Sequence, residues 1–146
     1  MPTVAPVRAE IEIDAPIETI WGILTDVDRY REWNPFTPKA DSTLEIGDPV
    51  DFRVRLFGQW TIPWRERVTQ NEPYTLAWEL VLGHRRLLHA ERTQILTRVD
   101  AHRTHYETED RFDGLLAGFV GLVFGGGMAR GFADCAQGLK KNAENR

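Results

Sequence analysis

The sequence predicts one α+β domain built on an antiparallel sheet, and three observations predict it. Residues 7–14 alternate between apolar and polar, and the pattern then switches at once to helical spacing. From about residue 40 to 112, six strand-like segments follow one another with only turns between them. A final run from Gly114 to about Ala143 is apolar in its first half and amphipathic in its second. Strands grouped in succession, rather than alternating with helices, imply hairpin connections and an α+β architecture.

The first strand reads VRAEIEID. Val7, Ala9, Ile11 and Ile13 lie on one face, and Arg8, Glu10, Glu12 and Asp14 on the other, the pattern of a half-buried strand. In APIETIWGILTDVDRYREW, Ile17, Ile20, Trp21 and Leu24 share a helix face, and Pro16 suits a first turn. Asp26 is placed to cap a second short helix, VDRYREW, which Asn34-Pro35 and then Pro38 must end. STLEI follows, closed by the turn Gly47-Asp48-Pro49. VDFRVRLF then sets Phe52, Val54 and Leu56 against Asp51, Arg53 and Arg55, and closes at Gly58-Gln59. TIPWRERVTQ, YTLAWELVL, RRLLHAERTQIL and HRTHYETEDRF complete the strands. Pro63 falls inside a strand pattern and is expected at an edge or a bulge.

No linker or composition shift divides the chain, so residues 1–146 are expected to form one domain. An apolar share of 42% with 27% charged residues is that of a soluble globular domain. The net charge of -4 argues against nucleic acid as a partner, because phosphate binding needs a concentrated basic surface. A single cysteine, Cys135, excludes an internal disulfide. With no signal-peptide pattern at the start, it leads us to expect a reducing, cytoplasmic setting. The apolar run 115–129 falls short of the ~20 residues a membrane span needs.

Familiar catalytic patterns are missing. Gly125-Gly126-Gly127 lacks the lysine and flanking strand of a phosphate loop, and there is no dinucleotide fingerprint or nucleophile elbow. His102 and His105 are three apart, which on a strand sends them to opposite faces, so no metal and no cofactor is expected.

The matching residues APIETIWGILTDVDRYREWNPF (15–36), Gly47, NEPYTLAWEL (71–80), RFDGLLAG (111–118) and RGFADCAQGLKKNAE (130–144) stand in this same order of elements. Together they resemble the START-like, or SRPBCC, helix-grip superfamily, in its polyketide cyclase/dehydrase-like subgroup. The resemblance spans nearly the whole chain and identifies a fold better than a reaction. It implies a seven-stranded bent antiparallel sheet wrapped around a long C-terminal helix, with two short helices after the first strand. It also implies an apolar cavity between sheet and helix for a small hydrophobic molecule, lipid- or polyketide-like. Relatives often carry histidine or glutamine where this chain has Thr108, which weakens any inherited acid–base role.

Strand parity then names a cavity wall. Phe52, Val54 and Leu56 face inward; so do Trp64, Glu66 and Val68 if Arg65 and Arg67 face water. Leu76, Trp78 and Leu80 form a matching set, as do Tyr106, Thr108, Asp110 and Phe112. On LHAERTQI, the face of His89, Glu91, Thr93 and Ile95 competes with that of Leu88, Ala90, Arg92 and Gln94, and the resemblance favours the first. Trp33 and Phe36 either plug the core or line the inner end of the cavity. A carboxylate on an apolar wall has a raised pKa, which suits general acid or base work. Glu66, Tyr106 and Asp110 are therefore the catalytic candidates. Alternatively, Glu66 and Asp110 pair with Arg92 or Arg53 and only close the sheet.

In the last helix, Gly114, Gly118, Gly121 and Gly125 fall on one narrow face at about 100° per residue. Met128, Ala129, Phe132, Ala136, Leu139 and Ala143 continue that face. It is expected to meet the sheet, with Gly118, Gly121, Leu122 and Gly125 over the ligand and the triple glycine as a kink or hinge. Leu116, Phe119, Val120, Val123 and Phe124 would then lie outside, as a contact for a second subunit, a membrane surface or another partner. Binding of a small hydrophobic molecule is the leading expectation. The alternatives are an aromatase/cyclase using Tyr106, Asp110 and Glu66, and a lipid- or partner-docking module through residues 115–124.

Overall fold

The structure, a computed structural model, describes residues 4–145. The elements run β1 (Val7–Ile13), α1 (Ile17–Leu24), a 3-10 helix (Val27–Glu32), β2 (Lys39–Asp41) and β3 (Pro49–Phe57). They continue with β4 (Trp60–Glu72), β5 (Thr75–Val81), β6 (His89–Asp100), β7 (Arg103–Asp113) and α2 (Ala117–Glu144). One antiparallel sheet takes the order β1-β7-β6-β5-β4-β3-β2. Every neighbour from β2 to β7 is the next strand in sequence, and β1 alone returns to the far edge, against β7. This is the expected helix-grip α+β fold, with α2 lying in the concave side of the curled sheet.

One strand is displaced. Ser42–Ile46, expected to be extended and paired, form a turn region, and β2 lies just before them. Their hydroxyls explain why: Ser42 Oγ donates to the Pro49 carbonyl at 2.8 Å, and Thr43 Oγ1 donates to Asp48 Oδ2 at 2.6 Å. Local side-chain bonds of this kind compete with a strand ladder. Asp26 precedes the 3-10 helix but makes no side-chain cap bond. Asn34 does act as expected, its Oδ1 accepting from the Thr37 amide at 2.9 Å. Pro63 sits opposite Arg53 of β3, on a stretch of β4 that β5 no longer accompanies, so it lies on a free edge as expected.

The core lies between the sheet, the two short helices and the second half of α2. Ile13, Ile20, Leu24, Tyr30, Phe132 and Leu139 are all essentially buried there. Tyr30 spends its hydroxyl on the Leu24 carbonyl at 2.6 Å, so the ring is buried with its donor satisfied.

The helix α2 runs through Gly125-Gly126-Gly127 as one continuous α-helix, Ala117–Glu144. Gly114 is not part of it: with φ +105° it makes the turn before the helix, where a Cβ would strike the Leu87 carbonyl. The expected glycine face is also corrected. A Cβ on Gly118 or Gly125 would meet nothing within 4 Å, and one on Gly121 would touch only Val4. The buried glycines are Gly127 and Gly131, where the helix backbone presses on Leu56 and Phe36. Extrapolating from Met128 and Phe132 fails because the sheet is bent. The face that α2 presents to it turns along the helix, from Phe132, Ala136 and Leu139 to Val120 and Phe124.

Candidate functional site

A cavity of about 410 Å³ lies between the sheet and the first half of α2. Its wall takes Phe52, Val54 and Leu56 from β3, Trp64 and Glu66 from β4, Trp78 and Leu80 from β5, and Asp110 and Phe112 from β7. All nine were expected from strand parity. Each alternates with an outward polar or charged neighbour, so burying one face of these strands brings the set together. Phe52 and Trp78 pack ring to ring at 5.1 Å, and Phe36 meets Phe132 edge-on at 5.5 Å.

Other expected residues do not line it. Trp33 is buried against Tyr30 at 4.9 Å and plugs the core. Tyr106 is fully buried behind the wall, its hydroxyl donating to Gln94 Oε1 at 2.7 Å, and Thr108 is buried as the acceptor of an Arg92 bond. Gly118, Gly121, Leu122 and Gly125 lie away from the cavity, with Leu122 85% exposed. In their place α2 contributes Val120, Phe124, Met128 and Phe132. Val120 and Phe124 thus leave the proposed outer contact surface. Leu115, Phe119, Leu122 and Val123 remain exposed on α2 and the turn before it.

β6 turns the opposite face from the one favoured. Ala90, Arg92, Gln94 and Leu96 point inward, while His89, Glu91, Thr93 and Ile95 face out. The cause is one residue. Near the hairpin turn Asp100 pairs with Arg103, but Arg98 pairs with Thr104, so β6 carries an extra residue at Val99. A bulge of this kind moves every side chain of the strand on the side away from the turn, His89 to Arg98, to the other face.

That bulge places Arg92 directly opposite Asp110 on the cavity wall. Arg92 is 6% exposed. Its Nε donates to Thr108 Oγ1 at 2.9 Å, its Nη2 lies 3.9 Å from Cys135 Sγ, and the guanidinium stands 4.2 Å from the centroid of Phe132. It makes no ion pair with Asp110 or Glu66, and Asp110 Oδ1 is buried with no hydrogen-bond partner. Burial pushes the Asp110 carboxyl up to about 7, against the pull of Arg92. Glu66 is pushed up to about 8, first by burial and then by the charge of Asp110, although it accepts from Trp64 Nε1 at 2.8 Å. The wall therefore holds two carboxyls that titrate near neutrality and two guanidiniums, of which Arg65 is paired with Asp51 at 2.6 Å and Arg92, among the described residues, is not paired with a carboxylate.

On the outer face, Glu79 is 5% exposed and receives Arg67 at 2.7 Å, His89 Nε2 at 2.9 Å and Arg85 at 3.1 Å. Burial alone would raise its pKa; hydrogen bonds from Arg67 and His89 and the Arg85 charge bring it down to about 2. This is where the expected cavity residue His89 works. Glu10, His105 and Glu107, also outside, bring one possible ligand atom each within 4.8 Å of one another, while His102 lies in the β6–β7 turn rather than on a strand. Beyond the pair Arg67–Glu79, β4 and β5 separate, and a shallow outer depression shares Arg65, Glu66 and Leu80 with the cavity. Among the described residues, no helix is long and apolar enough to cross a membrane.

A family described as polyketide cyclase / dehydrase and lipid transport matches residues 5–144 of the chain. No curated protein sequence matches. Among solved structures, the Zhui aromatase/cyclase from Streptomyces sp. R1128 is 22% identical, with a TM-score of 0.76 over 97% of this chain and 94% of that one. A START superfamily protein from Mycobacterium smegmatis is 17% identical, with a TM-score of 0.71 over 96% and 97%. Norcoclaurine synthase from Thalictrum flavum, solved with dopamine and hydroxybenzaldehyde, is 13% identical, with a TM-score of 0.73 over 99% and 89%. At these identities the likeness is one of fold.

Proposed function

Since the chain belongs to the polyketide cyclase / dehydrase and lipid transport family, we propose that it binds a small hydrophobic molecule, lipid- or polyketide-like, in the cavity beneath α2. The observation that carries this is the cavity itself: about 410 Å³ walled almost entirely by aromatic and aliphatic side chains. A pocket of that volume and lining is what a largely apolar guest needs to lose its water. Trp64 and Trp78 both line it, so occupancy has a direct optical reporter. Titration with apolar ligands should shift tryptophan emission, and native mass spectrometry of the purified protein should show a bound small molecule. Unchanged emission across such ligands, with an empty mass spectrum, would remove the reading.

Glu66 and Asp110 favour a second reading, an aromatase/cyclase-type reaction. Carboxyls held at about 8 and about 7 are suited to give and take protons at neutral pH. Tyr106 drops out of this constellation, since it has no face on the cavity. The test is turnover of a poly-β-ketone substrate: full rates in both Glu66→Gln and Asp110→Asn would exclude it.

A further inference from the structure

Building on the reading that the cavity takes a hydrophobic molecule, we propose that this molecule is an amphipathic monocarboxylate, its carboxylate seated on Arg92 beside Asp110. Arg92 is buried without a carboxylate partner among the described residues. A buried guanidinium is costly unless paired. Its Nε is bonded to Thr108, its Nη2 reaches a thiol sulfur, and Phe132 offers its ring face, yet among the described residues no carboxylate pairs with it. Asp110, its direct cross-strand neighbour, leaves Oδ1 buried and unbonded. Both side chains line the cavity, and the surfaces around them are apolar.

An entirely apolar guest would leave both groups unsatisfied. An amine would bring a second cation against Arg92. A carboxylate neutralises the guanidinium, accepts from its N–H groups, and accepts a further hydrogen bond from Asp110 when that carboxyl is protonated. The apolar remainder of such a guest then lies toward Val54, Trp78, Val120 and Phe124.

The neighbours of Arg92 set a pH window. Glu66 approaches from β4, Asp110, Thr108 and Tyr106 from β7, Cys135 from α2 and Tyr30 from the 3-10 helix. Burial raises both tyrosines and the thiol, so they are neutral through this range. Of these groups, Glu66 and Asp110 change charge near neutrality, and Asp110 also feels His89 and Glu91 of β6. Arg65, also on the wall, is neutralised by Asp51; with both carboxyls protonated Arg92 is the unpaired cation of the site, and with both ionised the three groups carry a net negative charge and repel a carboxylate.

The test uses decanoate, decanol and methyl decanoate, titrated calorimetrically into the full chain at about pH 6 and about pH 9. At the lower pH decanoate should bind about tenfold more tightly than decanol, the worth of one charge-assisted hydrogen bond. That advantage should vanish at the higher pH. In Arg92→Met the acid-to-alcohol ratio should fall to about one, with circular dichroism reporting on folding. Asp110→Asn should keep more of the acid preference at the higher pH, and it serves if Arg92→Met does not fold. Equal binding of decanol and decanoate at the lower pH overturns the carboxylate assignment and leaves the cavity reading standing. So does an acid preference that persists in folded Arg92→Met. If none of the three probes binds, the cavity reading fails together with the assignment.

Discussion

The backbone carbonyl of Trp33 occupies the place where a side chain on Gly138 would begin: a Cβ there would lie 2.0 Å from that oxygen. The second half of α2 therefore rests directly on the turn Trp33–Phe36, and Gly127 rests in the same way on the Leu56 carbonyl, at 2.4 Å. Neither oxygen can rotate aside as a side chain would. Gly138→Ala and Gly127→Ala should each destabilise the fold by about 1–3 kcal/mol, the range of overpacked cores. Gly118→Ala and Gly125→Ala, whose new methyl groups meet nothing, should stabilise it by up to about 1 kcal/mol. Urea unfolding of the four variants separates the two classes, and uniform behaviour would contradict the packing described.

Ligand affinity should follow the inner row of α2. Val120→Phe places extra volume in the cavity and should weaken binding of a fluorescent apolar probe about tenfold or more. Leu122→Phe, at a position 85% exposed, should leave the affinity unchanged. Equal effects of the two substitutions would mean that the helix is phased differently.

The pH dependence of stability has a definite sign. Glu66 and Asp110 titrate higher folded than unfolded, so the folded chain binds more protons. Their contribution is full below the ordinary carboxylate range and is lost as pH rises toward about 7 and 8. The slope is at most about 1.4 kcal/mol per pH unit for each group. Glu79 acts the other way: held at about 2, it contributes above the ordinary carboxylate range and fails as pH falls toward that value. Urea midpoints measured across this range should peak on the acid side of neutrality. In the double variant Glu66→Gln, Asp110→Asn the alkaline decline should flatten.

Tyr106→Phe removes the donor that Gln94 Oε1 accepts from and leaves a buried amide oxygen unpaired. A loss of about 1–3 kcal/mol in stability is expected. Probe affinity, corrected for the folded fraction, should be that of the parent, because the ring does not reach the cavity.

The parts of the fold legible in sequence were those governed by a short, unbroken period. On β3, β4, β5 and β7, alternation alone assigned the cavity residues from Phe52 to Phe112. The inward face of β6 was not legible. Counting back from a two-residue turn at Ala101–His102 pairs Tyr106 with Thr97 and Asp110 with Thr93, whereas the extra residue at Val99 pairs them with Leu96 and Arg92. No residue type announces that bulge. With it went Arg92, the buried cation of the cavity wall, and the true place of His89. The phase of α2 was lost for a different reason. The second half of the helix is set by Phe132 and Leu139, and a straight projection from there takes no account of how the curved sheet turns beneath it.

Where β4 and β5 part company beyond Arg67 and Glu79, the cavity has a stretch of wall with no ladder bonds across it. Widening the chamber there ruptures no hydrogen bond between strands. Elsewhere, pushing the helix away from Leu56 and Phe36 would break contacts made backbone to backbone and backbone to ring. The enclosure is thus compliant on one side and unyielding on the other. Guests that differ in bulk should be tolerated when the excess points toward Glu66 and Leu80, and rejected when it points toward Gly127.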